Sequence, residues 1–486
     1  MSPAPDGPDG PDGRDESDGR DGLAADVAAT LQPGFSGSVV PAWLERAHAG
    51  GLVSVCLYGD NVDAGGGLAT LCADLHSRLP GVLLATDEEG GDVTRIHYPA
   101  GSTAPGNAVL GRLDDADLTR AVAASIGSEL AALGIGLDLA PSVDVNSSPG
   151  NPVIGVRSFG ADPALVARHS SAFVEGLQST GVAACAKHFP GHGDTVVDSH
   201  HGLPRVDVPR DVLRERELEP FRAAVAAGVR TVMTSHVIVS ALDAERPATF
   251  SPSAIRLLRD ELGFEGVVVS DALDMAGASA ETGIPEAAVR ALLAGVDLLC
   301  LGSNTGELRW AAIHDAVTDA VRSGRLPRRR VAEAAARVRA LAADVACPPV
   351  PSPPVGPVLD TAVIARAFRL SDRAVRWLAG DGPVTVVQVG SVANLAVGDV
   401  SWGPAGLGEA VSEDAVPDGA RVAVVGRALG PDHPAHATAD RLRAAGHEVV
   451  LVECGWPRGG ADLEVFGGSP AVSRALLAVL RGEVAP

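Results

Sequence analysis

The chain has 486 residues, enough for two or three domains with full cores. Its 46% hydrophobic and 21% charged residues are those of a soluble globular protein. The net charge of −22 (39 basic minus 61 acidic residues) disfavours nucleic acid and anionic membrane as partners and leaves a small neutral ligand open. The six cysteines are scattered without a Cys-x-x-Cys pair, so neither a zinc site nor a redox motif is expected. No run reaches ~18 apolar residues, and no basic segment followed by an apolar core opens the chain. The expectation is a cytoplasmic monomer without a membrane partner, with non-Sec export left open.

Residues 1–22 repeat Pro, Asp and Gly and offer little to bury, so 1–35 reads as a disordered acidic tail and lead-in. From residue 36 strands and helices alternate. Predicted strands lie at 53–58, 82–86, 136–145, 182–186, 231–236, 266–271 and 296–301. Between and after them, helical patterns cover 68–78, 118–133, 163–179, 212–227, 253–262, 285–294, 308–323 and 327–346. This alternation means a parallel sheet with crossovers, and its length suits a (β/α)8 TIM-type barrel over 36–346. An open doubly wound sheet is the alternative, but no Gly-x-Gly-x-x-Gly opens a helix. A Pro-rich linker follows at 347–358. Residues 359–486 read as a small α/β domain, with strands at 384–389, 422–425 and 449–452.

Polar clusters follow the predicted strands, where a barrel builds its active site. The densest runs from Lys187 through His188, Phe189, Pro190, Gly191, His192, Gly193, Asp194 and Thr195 to Asp198, Ser199 and His200. It reads as a loop after the 182–186 strand. Lys187 is the only lysine in an otherwise Arg-based chain, which suits a site needing a compact ammonium. The cluster could bind a metal, be a loop of surface histidines, or hold a general acid/base. The spacing is not a helical His-x-x-x-His and no Cys joins it, so no metal is expected. Asp198 and His200 lie close enough for the carboxylate to fix the imidazole tautomer.

Asp87-Glu88-Glu89-Gly90-Gly91-Asp92-Val93-Thr94-Arg95 follows the second strand; a carboxylate there could take sugar hydroxyls, and Arg95 could orient it. Arg157-Ser158-Phe159 follows the third. Ser270-Asp271-Ala272-Leu273-Asp274 ends the 266–271 strand, where an ionised Asp is costly unless paired, capping a helix or working. His236 ends another strand and is expected to line the pocket.

Taken together, these stretches resemble glycoside hydrolase family 3, in its β-N-acetylglucosaminidase branch. The Lys-His-Phe-Pro-Gly-His-Gly run and the Asp-Ser-His that follows it carry most of the likeness. Two departures stand out: Asp92 where Arg is frequent, and Ala272 where a second Asp is usual. The resemblance covers about residues 36–346. It implies a retaining, exo-acting enzyme without cofactor, acting on a small carbohydrate such as a GlcNAc-bearing cell-wall muropeptide. Asp271 would be the nucleophile, and His200, held by Asp198, the acid/base. Asp87, Arg157, Lys187 and His188 would hold the sugar. The C-terminal domain resembles a shortened version of the family's α/β sandwich. A phosphorylase using the same dyad, a β-glucosidase-like specificity and a sugar-binding barrel without catalysis are the rival readings.

Overall fold

The computed structural model describes residues 16–62, 67–98, 100–196, 202–345, 359–390 and 396–486. Eight short parallel strands form the first unit: β1 (Leu31–Gln32), β2 (Ser54–Cys56), β3 (Leu83–Thr86), β4 (Leu137–Asp138), β5 (Ala183–Phe189), β6 (Thr231–Thr234), β7 (Val267–Ser270) and β8 (Leu299–Cys300). β2 to β7 are hydrogen-bonded in chain order. A parallel bridge at Val269 and Leu298 leads to β8, and β8 pairs with β1. The Cys56 N–H, donating to the Pro33 carbonyl at 3.0 Å, joins β1 to β2 and closes the ring. The (β/α)8 barrel is thus complete.

It begins earlier than residue 36. The lead-in carries a helix, Glu16–Ala29, and the first barrel strand. Asp26 on that helix ties it to Arg328 and Arg339 on the closing helix, Arg328–Val345. A strand of two residues has no period to read, which is why the sequence pattern missed it.

Inward-facing residues of the strands are small or apolar: Cys56, Leu83, Ala85, Leu137, Ala183, Cys185, Met233, Val267 and Val269. Val338, Leu341, Ala342 and Val345 of the closing helix pack into the same cluster and plug the N-terminal end. Buried Asp297, just before β8, secures that end by accepting from Arg259 (2.6 Å), Arg330 and Arg337 (3.2 Å). Polar side chains are thereby left to the opposite, C-terminal mouth. The surrounding helices start at local signals. Asp162 accepts from the Ala164 and Leu165 N–H groups, with Pro163 opening Pro163–Gln178, and Asp115 caps Ala116–Leu133.

The C-terminal unit is a five-stranded sheet: β9 (Arg369–Leu370), β10 (Val384–Gln388), β11 (Arg421–Gly426), β12 (Glu448–Glu453) and β13 (Leu463–Glu464). Its spatial order is β9-β13-β12-β11-β10, parallel except for the edge strand β9. It docks on the loops that follow β3 and β4. Buried Asp92 accepts from the Gly468 N–H at 2.8 Å and lies 3.2 Å from Arg427, whose guanidinium covers the Trp402 ring. The departure at position 92 is therefore a docking residue. The Pro-rich segment 347–358 lies outside the described residues.

Candidate active site

The C-terminal mouth of the barrel holds a cavity of about 600 Å³, lined by residues on or after seven of the eight strands, Asp87, Glu89, Arg157, Lys187, His188, His192 and Asp271 among them. Most are rigidly supplied. Lys187 and His188 lie on β5 itself, which runs on to Phe189, not on the loop that the sequence suggests. Arg157 ends a 3-10 turn, Gly155–Arg157, whose backbone carbonyl receives the Asn107 amide at 2.7 Å.

The Asp/Glu run after β3 divides into three tasks. Glu88 folds the loop: its Oε2 accepts from Thr94 Oγ1 (2.7 Å) and from the Arg95 and Ile96 N–H groups. Gly91, at φ +61°, passes so close to Gly106 that a Cβ would sit 2.4 Å from its Cα. Glu89 is buried between two cations: Arg157 binds it through Nε (3.0 Å) and Nη2 (2.7 Å), and Lys187 Nζ lies 2.8 Å away. Lys187 also donates to Asp87 at 2.6 Å, and the Asp87 side chain keeps 17% of its surface exposed toward the cavity. Asp87, Lys187, Glu89 and Arg157 thus form, in that order, a chain of alternating charge.

Burial alone would lower the Lys187 pKa, but Asp87 and Glu89 outweigh it and raise it. For Glu89, burial would push the carboxyl up; Arg157 and Lys187 hold it well below the usual range. Lys187, Glu89 and Arg157 are charged at neutral pH, and the Asp87 side chain is the one left presented to solvent. A planar guanidinium at 187 would have to share this space with Arg157, which explains the sole lysine.

A second network lies beneath. His188 Nδ1 donates to Asp144 Oδ2 at 2.7 Å, and Arg157 Nη2 stands 3.3 Å from His188 Nε2. Asp144, fully enclosed, also takes the His192 N–H at 2.7 Å; burial would raise its pKa, but the His188 ring and these bonds bring it down. His192 is packed edge-on to His188, and burial, with His188 beside it, lowers its pKa to about 4. It is neutral at pH 7.

Asp271 leaves β7 and lines the cavity, with its Oδ1 accepting the Ala272 N–H at 2.8 Å. His236 does not line the cavity. It is completely buried behind the Asp271 turn, its Nε2 donating to the Ala272 carbonyl at 3.0 Å and its Nδ1 3.0 Å from Thr249 Oγ1. A His at a strand end can turn into the wall as easily as into the cavity, and here the open carbonyl draws it in.

Arg95 lines the cavity, but it does not orient Asp87. Its guanidinium donates to the backbone carbonyls of Ala396 (2.6 Å) and Val397 (3.3 Å) in the C-terminal unit, and Lys187 orients Asp87 in its place. Asp198 and His200 lie outside the described residues.

The sequence did not single out Glu89, Asp144 or His192 as site residues. Asp144 had a signal: a carboxylate inside the apolar run 136–145 needs a buried partner. Tyr58, Asp274 and Cys300 join the wall, with the Tyr58 hydroxyl 3.0 Å from Cys300 Sγ. No group of three or more His, Cys, Asp or Glu among the described residues is placed to hold a metal ion.

Comparison with known proteins shows what the chain is similar to. The family model described as glycosyl hydrolase family 3 N terminal domain matches residues 36–341. The chain is 37% identical over 326 residues to β-hexosaminidase A of Pseudoalteromonas piscicida, covering 61% of this chain and 54% of that protein, so it spans about half of that relative. It is 38% identical over 300 residues to β-hexosaminidase LpqI of Mycobacterium tuberculosis, covering 60% of this chain and 75% of that one. The solved structure of a glycoside hydrolase family 3 β-N-acetylglucosaminidase from Paenibacillus sp. str. FPU-7 superposes with a TM-score of 0.80 at 31% identity, covering 95% of this chain and 97% of that one.

Proposed function

Because the chain belongs to glycosyl hydrolase family 3, we propose that it is a retaining, exo-acting β-N-acetylglucosaminidase that releases terminal β-linked GlcNAc. The observation that carries this reading is the charge chain of Asp87, Lys187, Glu89 and Arg157 facing Asp271 in one cavity. A volume of about 600 Å³ suits a monosaccharide and part of its aglycone. Asp87, which reaches the cavity, accepts hydrogen bonds from sugar hydroxyls, while Lys187 and His188 border the same space. Oriented by the Ala272 N–H, Asp271 attacks the anomeric carbon, and the aglycone leaves with its bonding electrons. His200, held by Asp198, gives its proton to the leaving oxygen. It then takes one from the water that releases the sugar from Asp271. The support for these two residues is their motif, which follows directly on the Lys187–Thr195 stretch. An imidazole in this role replaces one of the two carboxylates usual in retaining enzymes.

The relatives named β-hexosaminidase support the N-acetyl sugar. We propose GlcNAc-terminated cell-wall muropeptides, met in the cytoplasm, as the natural substrate.

The test is release of nitrophenol from nitrophenyl β-GlcNAc and nitrophenyl β-glucoside, with and without phosphate. The proposal expects GlcNAc release independent of phosphate and faster than glucose release. Asp271→Asn should remove nearly all turnover in a folded protein. Phosphate-dependent formation of a sugar phosphate would make the enzyme a phosphorylase. Preference for the glucoside would make it a β-glucosidase. Near-normal activity of folded Asp271→Asn would remove the nucleophile assignment.

A further inference from the structure

A second cavity, of about 380 Å³, lies between the barrel and the C-terminal unit. It is formed by the 151–157 loop on one side and by Arg427, His433, Trp456 and Arg458 on the other. It shares Val153 and Arg157 with the sugar pocket, so only that wall separates the two. Arg157 is already committed to Glu89, the Val153 carbonyl and His188.

The two remaining arginines are less fully used. Arg427 shares Asp92 with the Gly468 N–H, and its buried Nε has no hydrogen-bond partner among the described residues. Gly468 is what lets it lie there, since a Cβ would meet Arg427 Nη2 at 2.6 Å. Arg458 is exposed, and its one hydrogen bond among the described residues is a long one to the Asn151 carbonyl, 3.4 Å. The helix Pro434–Ala444 begins at the same wall, with His433 as its cap. Asp92 is the only acidic lining residue among the described residues. Glu453 lies below, enclosed by the Ala428, Leu429 and Gly455 N–H groups. In a chain of net charge −22, a cavity lined this way is built for an anion.

We infer that this interdomain cavity is a second subsite, which takes an anionic substituent carried by the saccharide: a carboxylate, sulfate or phosphate. The inference rests on the glycosidase reading for its connection to catalysis. Asp271 follows β7 and Arg157 follows β4, on nearly opposite sides of the ring of eight strands. With the anomeric carbon at Asp271, the far end of the sugar faces Arg157 and the cavity behind it. Trp456 lines the same cavity and supplies apolar surface to it. The charge can come from the far end of the sugar itself or from an acidic aglycone that folds back over Arg157.

Three aryl β-GlcNAc substrates separate these sources: the neutral glycoside, its 6-O-sulfate, and one with a carboxylate on the aglycone. At low ionic strength the wild type should favour at least one anionic substrate over the neutral one in kcat/KM. Arg458→Glu, a change at an exposed position, should lower that preference by about tenfold or more, the weight of one charge-assisted hydrogen bond. Arg458→Lys should retain part of it. The substrate whose advantage is lost identifies the source of the charge. Equal kcat/KM for all three in the wild type, or a preference untouched by Arg458→Glu, would overturn the inference while leaving the glycosidase reading intact. If the wild type does not cleave even the neutral glycoside, the glycosidase reading fails instead. Titration calorimetry with GlcNAc 6-sulfate against GlcNAc then decides the subsite: tighter binding of the sulfate, weakened by Arg458→Glu, supports it, and equal affinities overturn it.

Discussion

Lys187→Met is the sharpest probe of the charge chain. Methionine keeps the stem of the side chain and deletes the ammonium. In the native protein that ammonium lies 2.6 Å from Asp87 and 2.8 Å from Glu89. Removing one partner of a buried pair costs ~3–5 kcal/mol when the other is left without compensation. Here the loss is smaller, because Glu89 keeps both bonds from Arg157 and the Asp87 side chain is 17% exposed. About 2–3 kcal/mol is expected, much of it from an Asp87 that is no longer held as a fixed acceptor. Expressed in catalysis, that is on the order of a hundredfold in kcat/KM. Asp87→Asn attacks the same bond from the other side and should lose a similar factor. The assay is a double-mutant cycle on kcat/KM with the nitrophenyl substrate. If Lys187 works by orienting Asp87, the double variant should be little worse than the poorer single, a coupling of about 2 kcal/mol. Additive losses would refute the argument, since they would mean that the two residues touch the substrate independently.

His236→Phe removes the donor to the Ala272 carbonyl while preserving a ring against Phe250. Steady-state kinetics should show kcat down by roughly tenfold with KM little changed, as a loosened nucleophile turn requires; a rise in KM alone would return His236 to substrate contact. Asp92→Ala should loosen the two units by about 2–4 kcal/mol, because Arg427 loses its carboxylate and the Gly468 N–H its acceptor. Calorimetry should then resolve two transitions where one is expected for the wild type, and a trace unchanged from wild type would remove Asp92 from the docking argument. Glu217 sits under the Gly191 turn, and burial raises its pKa from 4.5 to about 7, despite Arg216 at 2.6 Å. A carboxyl raised in the folded state favours folding at low pH, and that contribution fades as pH climbs from about 4.5 through 7. The stability of Glu217→Gln relative to wild type, by denaturant melts at pH 5 and 8, should therefore be higher at pH 8; a difference independent of pH would place the Glu217 proton elsewhere.

The barrel was legible because its helices are long and periodic and its strands recur between them. What escaped was short. Leu31–Gln32, Arg369–Leu370 and Leu463–Glu464 are strands of two residues, fixed by neighbours far along the chain and carrying no pattern of their own. Within the site, Asp87, Arg157, Lys187, His188 and Asp271 converge on one cavity. The errors of role concern side-chain direction. The sequence places Arg95 and His236 at strand ends but does not say that one reaches the Ala396 carbonyl and the other the Ala272 carbonyl. Asp144 and Glu89 act on other site residues instead of facing solvent, so their part appears only when the loops are folded together.

The single lysine has a practical corollary. Its side chain is 2% exposed and pinned between two carboxylates, so the folded surface described here offers no ε-amine to an acylating reagent. Among the 486 residues, Lys187 supplies the one ε-amine. Acylation at Lys187 would proceed only while the pocket is open and the ammonium has both left its carboxylates and lost its proton. Its rate, read by mass spectrometry as one added label on one peptide, would serve as a clock for the opening of the pocket, and a sugar bound within should slow that clock.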